Sequence, residues 1–97
     1  MNMHGDVSRL MSAYNYARHF ARRTGVYEVK RVDRAWGYIM SGKLKEKASD
    51  YGAEFDRCSC PDASRGFTCK HSIGLMIVAK AEQLKREDEE RWDKLTS

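Results

Sequence analysis

Four residues of this 97-residue chain have the chemistry to hold a metal ion: Cys58, Cys60, Cys69 and His71. They are all of its cysteines and one of its three histidines, gathered into the stretch CSCPDASRGFTCKH. Zn2+ takes four ligands at tetrahedral corners, drawn from thiolates and neutral imidazoles. In an extended segment Cys58 and Cys60 point to one face, because side chains alternate with period two. Pro61 cannot continue a strand ladder, so the backbone should turn directly after the second ligand. The segment DASRGFT is turn-rich and long enough to bring the chain back. Cys69 and His71 then fall in the first turn of the last helix, where the helix dipole favours a thiolate. The set reads as a closed shell for one structural Zn2+. Copper or an iron–sulfur cluster could use some of the same donors, and buried thiols or a redox pair are the plainer alternatives. Three cysteines cannot pair off among themselves, which speaks against a disulfide framework.

These ligands need elements to position them. The length allows one domain, residues 1–97, and a core small enough for a metal to matter to its stability. SRLMSAYNYARHFARRTG reads as a helix over residues 8–24: Ser8 can cap it, Leu10, Tyr14, Ala17 and Ala21 share a face widened by Met11 and Phe20, and Gly25 can end it. In VYEVKRVD, Tyr27, Val29 and, after a break, Val32 alternate with charged residues, which predicts a strand with one wet face. AWGYIMSG, rich in aromatic and branched residues, would be the second strand of a hairpin. KLKEKASDYG has no clear period and reads as a loop or one helical turn. AEFDRCSC alternates again and predicts a third strand running into the ligands.

From Thr68 the pattern is helical to about Trp92 or beyond. Its first turns, with Ile73, Leu75, Met76, Ile77 and Val78, are apolar on most sides. Residues 81–97 form a polar extension in which Glu82–Arg86, Glu87–Arg91 and Glu90–Lys94 place each acid four residues before its base. The expected fold class is therefore α+β: a small zinc-stabilised domain with an N-terminal helix, a three-stranded antiparallel β-sheet and a long C-terminal helix. Tyr14, Phe20, Trp36, Tyr38 and Phe55 are expected in its core.

CSCPDASRGFTCKHSIGL resembles the SWIM zinc finger, whose pattern is C-x-C-x(n)-C-x-H. Pro61 and Asp62 after the second cysteine, Lys70 between the last two ligands and the apolar helix after His71 all follow the family's habit. With the alternating segments upstream, the resemblance covers residues 26–80. It implies zinc binding, and more loosely a DNA-binding or protein-interaction role. Family members occur in chromatin-remodelling ATPases, transposases, protein kinases and partners of recombinases, usually as an accessory to something larger.

The formal charge is +4, and a basic front half suits a polyanion. Arg18, Arg22, Arg23, Lys30, Arg31, Arg34, Lys43, Lys45 and Lys47, with Arg65 and Lys70 flanking the metal ligands, are the candidate nucleic-acid contacts. DNA is expected ahead of RNA. Such groups grip phosphates, and Tyr16 and Tyr27 could stack on unpaired bases. The other expected partner is a protein, or a second copy of this chain, met by Leu84, Trp92 and Leu95 on the last helix. An enzyme is not expected, nor a small-molecule substrate. A full zinc shell leaves no open position for water, there is no phosphate loop or G-x-S-x-G, and Glu54 and Asp56 read as solvated charge. No apolar run is long enough to cross a membrane and no secretion signal is evident, so the expected setting is intracellular, cytoplasm or nucleus, where thiols stay reduced.

Overall fold

Alanines decide how closely the first and last helices approach. The computed structural model describes the backbone of residues 3–96 and the side chains of residues 7–91. Helix α1 (Met3–Thr24) presents Ala13, Ala17 and Ala21 at the spacing of one helical face, and all three are buried. Helix α5 (Lys70–Thr96) answers with Ile73, Ile77 and Ala81 at the same spacing. Pairs at Arg9–Asp88 and Tyr16–Lys80 show that the two helices run antiparallel. Small residues on one side let branched residues on the other fill the gap, which is how interiors reach crystal-like density.

Helix α2 (Val29–Ser41) closes this core with Val32 and Ala35. Tyr14 stacks on Trp36 at 4.7 Å and donates its hydroxyl to Asp33 at 2.6 Å, tying α1 to α2. Helix α3 (Leu44–Asp50) packs through Leu44 and Ala48, and a single turn, α4 (Pro61–Ser64), sits inside the loop that joins α3 to α5. At Gly74 of α5 a β-carbon would collide with Leu44, so the missing side chain is what seats α3 on α5. Helix α5 touches α1, α2 and α3 and is the axis of the molecule.

The expected three-stranded antiparallel sheet is absent: the described residues contain helices and irregular segments and no strand. The expected hairpin, VYEVKRVD with AWGYIMSG, is helix α2 with the approach to it. Val29, Val32, Ala35, Trp36 and Ile39 recur at three- and four-residue spacing, and the break in alternation at Val32 is where that helical period shows. Gly42, with φ of 74°, ends the helix in the left-handed region that favours glycine; its N–H bonds to the Ile39 carbonyl and that of Lys43 to Tyr38. AEFDRCSC is irregular, held by a turn from Glu54 N–H to the Arg57 carbonyl. With no neighbouring strand to pair with, its backbone groups find partners elsewhere. The α+β class gives way to an all-helical domain.

The core expectations also shift: of Tyr14, Phe20, Trp36, Tyr38 and Phe55, only Tyr14 packs against the buried cluster, while Phe20, Trp36 and Tyr38 are half-buried outside it. Met11 lies outside the core, and Phe55 is 57% exposed at the edge of an open apolar groove of about 820 Å3 between α1 and α5.

Candidate metal centre

The four ligand side chains arrive from three local structures. Cys58 lies near the end of the irregular segment after α3. Cys60 stands at the N-cap position of α4, where Pro61 follows as the first helical residue, a place that suits proline because no N–H is needed there. The Ser64 N–H bonds to the Cys60 carbonyl at 3.0 Å, so the chain turns directly after the second ligand. Gly66, with φ of 90°, ends this turn. Cys69 precedes the first residue of α5, and His71 lies in its first turn.

The donor atoms of Cys58, Cys60, Cys69 and His71 all lie within 4.8 Å of one another. Ligand separations around tetrahedral zinc are roughly 3.3–3.8 Å, given Zn–S of about 2.3 Å and Zn–N of about 2.0 Å. Cys58 Sγ and His71 Nδ1, at 3.7 Å, already meet that spacing. Cys60, Cys69 and His71 are each 1% exposed, and Cys58 is half-buried. Three soft sulfurs and one imidazole nitrogen, buried and converging, fit Zn2+ in a closed structural site.

The surroundings hold each ligand in place. Cys69 Sγ accepts the Ser72 N–H at 3.5 Å, occupying the role of an N-cap oxygen three residues ahead of its donor. Ser72 in turn donates its hydroxyl to the Glu54 carbonyl at 2.6 Å, which pins the segment leading to Cys58. Ser59 donates both its N–H and its hydroxyl to the Tyr51 carbonyl, at 3.1 and 2.6 Å. The rings of Tyr38 and Tyr51 pack against His71, with centroids 5.7 and 5.0 Å away. His71 Nδ1 faces the sulfurs while Nε2 is buried without a protein partner, so the tyrosines, and not a second hydrogen bond, fix the imidazole's orientation.

Electrostatics suit the same chemistry. Burial, helped by the Lys70 charge, holds His71 below its ordinary pKa and keeps the ring neutral for coordination. Burial pushes the Cys58 thiol up to about 11. Burial acts the same way on Cys69, but hydrogen bonds from Ser72 and the neighbouring thiols outweigh it and the net shift is downward. Coordination reverses the penalty on Cys58, because a thiol bound to zinc is deprotonated outright.

The cations singled out in the sequence divide into groups. Arg34, Lys43 and Lys70 meet in a groove of about 520 Å3 that Gly37, Tyr38 and Ser41 complete, with no acid in its lining. Lys47 is close enough to His71 to depress its pKa, and Arg65 and Lys70 act on Asp62 in the same way. Arg31 is buried: it pairs with Glu28, lies 3.5 Å from Asp62 and holds its guanidinium 4.6 Å from the Phe67 ring centre. Arg18 pairs with Asp33 at 3.1 Å and Lys30 with Glu28 at 3.2 Å. Arg22 and Arg23 lie exposed in the last turn of α1, and Lys45 borders a separate apolar groove with Leu75 and Val78. Leu84 is half-buried; Trp92 and Leu95 fall outside the described side chains.

Sequence reasoning missed three supporting residues. Ser72 had a local signal, its position three residues after a capping Cys69. Tyr38 and Tyr51 had none, since only the packing of α2 and α3 on α5 brings them to His71.

A family model of the SWIM zinc finger matches residues 43–80, which takes in α3, the whole ligand set and the first turns of α5. Helices α1 and α2 lie outside the matched residues. No curated protein and no solved structure matches the chain.

Proposed function

Residues 43–80 carry a SWIM zinc finger, with one structural Zn2+ held by Cys58, Cys60, Cys69 and His71, and on that premise we propose that the chain binds nucleic acid, DNA first, through the basic groove beside the metal. The observation that carries this reading is the convergence of Arg34, Lys43 and Lys70 on one opening free of acids. The cations come from α2, the start of α3 and the start of α5, which the buried metal site and its flanking rings hold together. Lys47 and Arg65 extend the positive field around the same site. Ser41 and Tyr38 line the groove and carry hydroxyls suited to phosphate oxygens. In this reading the metal is architectural and the chain is a binding module, not an enzyme.

Contacts of this kind release counterions, so affinity should fall steeply with salt, with a log–log slope of about −0.9 per phosphate neutralised on duplex DNA. Fluorescence anisotropy with a short labelled DNA, between about 50 and 200 mM salt, measures it. Reversing Arg34, Lys43 and Lys70 to Glu should weaken binding at least tenfold. Reversing Arg22, Arg23 and Lys45, the same change in net charge placed elsewhere, should weaken it far less. Absence of binding at low salt, or equal losses in the two triple variants, would remove this reading.

A further inference from the structure

We infer that the basic groove selects single-stranded over duplex nucleic acid, an inference that rests on the nucleic-acid reading above. The groove is one stop on a longer track. On α2, Arg31, Arg34, Tyr38 and Ser41 fall at i, i+3, i+7 and i+10, a single stripe of the helix about 15 Å long at about 1.5 Å per residue. At the α2 N-terminal end of that stripe, the Arg31 guanidinium meets the Phe67 ring, which is 51% exposed. Toward the other end, Tyr38 lines the groove and touches His71, and Tyr51 packs against the same imidazole while remaining 38% exposed. Two open aromatic rings thus stand near the groove, Phe67 through Arg31 on the same stripe of α2 and Tyr51 through the imidazole that Tyr38 also touches.

Each ring is held by contacts that fix it without hiding it. Phe67 is held against a guanidinium that is itself anchored by Glu28 and Asp62. Tyr51 is held against a buried, metal-site imidazole. A rigid, half-open ring loses little freedom when a base stacks on it. Alternating cations and aromatic platforms are how proteins hold unpaired strands, because every base offers a π-face and the phosphates follow the positive groove. In a duplex the base faces are already stacked on one another, so Phe67 and Tyr51 gain nothing from it and only the phosphate contacts remain.

The full-length, zinc-loaded chain is titrated with one labelled oligonucleotide as single-stranded DNA, single-stranded RNA and duplex DNA at low salt, with heparin as a polyanion lacking bases. Single strands should bind at least tenfold more tightly than the duplex, and heparin should compete less well than unlabelled single strand of equal charge. Phe67→Ala should lower single-strand affinity at least fivefold and leave duplex affinity unchanged, while Phe67→Trp should retain it. Tyr51→Leu should act in the same direction, with zinc content measured beside it; if that variant loses zinc, the Phe67 pair decides alone. A stronger effect on RNA or on DNA identifies the strand and supports the inference either way. Duplex binding as tight as single-strand binding, or a Phe67→Ala effect equal on both, overturns the inference and leaves the nucleic-acid reading standing. Loss of all binding removes both.

Discussion

At Cys69 one sulfur serves the metal and the helix together, and Ser72 is the hinge between them. Its N–H reaches Cys69 Sγ, and its hydroxyl, lying 3.7 Å from the same sulfur, is given to the Glu54 carbonyl. Removing that hydroxyl takes away the hydrogen bond that ties the Glu54 carbonyl to α5 and loosens the segment that delivers Cys58. Ser72→Ala should therefore cost about 1–2 kcal/mol of stability and weaken zinc about tenfold, the lower range for losing a partner of a metal ligand. Competition against a chromophoric chelator, read beside a thermal melt, checks both. An unchanged zinc affinity would show that the Cys58 segment is held by the Tyr51–Ser59 contacts alone. The ligand residues were fully legible in the sequence, because Cys-x-Cys and Cys-x-His are local patterns whose chemistry has few other uses. Their supports were legible only where they too were local, as Ser72 is and Tyr38 is not.

Among the elements, α2 and α3 depend on glycines for different reasons. Gly42 supplies a left-handed backbone between them, and Gly74 supplies room on α5 for Leu44. Gly42→Ala should cost about 1–2 kcal/mol, the penalty of a β-carbon in the left-handed region, measurable by denaturant unfolding. A neutral result would mean that the α2–α3 corner can close another way. The first and last helices were readable from their period. The middle of the chain was not, because Tyr27, Val29 and Val32 satisfy a short alternation as well as a helical repeat. The expected face of α1 is met at Ala17 and Ala21, with Leu10 and Tyr14 at its edge, and the structure adds Ala13 to its buried centre.

For the molecule as a whole, zinc is the link that fastens α3, α4 and the start of α5 to a helical core rich in alanine. Structural zinc contributes on the order of 10 kcal/mol at neutral pH, comparable to the entire stability of a small domain. Chelation should therefore unfold the chain or leave only α1 with the outer part of α5, seen as a large loss of helical circular dichroism; full helicity without zinc would show that the core suffices. Lowering the pH should act in the same direction. His71 is held below 6.5 in the folded chain, so the unfolded chain binds more protons there, and stability falls as the pH drops through about 6.5 and below. Protonation of the thiolates deepens the loss, and a zinc-release titration locates it. No helix among the described residues is long and apolar enough to cross a membrane.

The metal and its four ligands were determined by residue chemistry and spacing alone, since donors two residues apart reach a common ion from a short piece of backbone. The helical state of the outer elements followed from their long periodicities, although α1 begins at Met3 and holds the expected cap Ser8 inside it. Only the tertiary structure decided that the middle of the chain is helical, because a strand exists by pairing with another strand, and here every neighbour that could pair is a helix packed through side chains. It also decided which cations gather beside the zinc: Arg34 and Lys43 meet the sequence-distant Lys70 because α2, α3 and α5 converge on the same buried site.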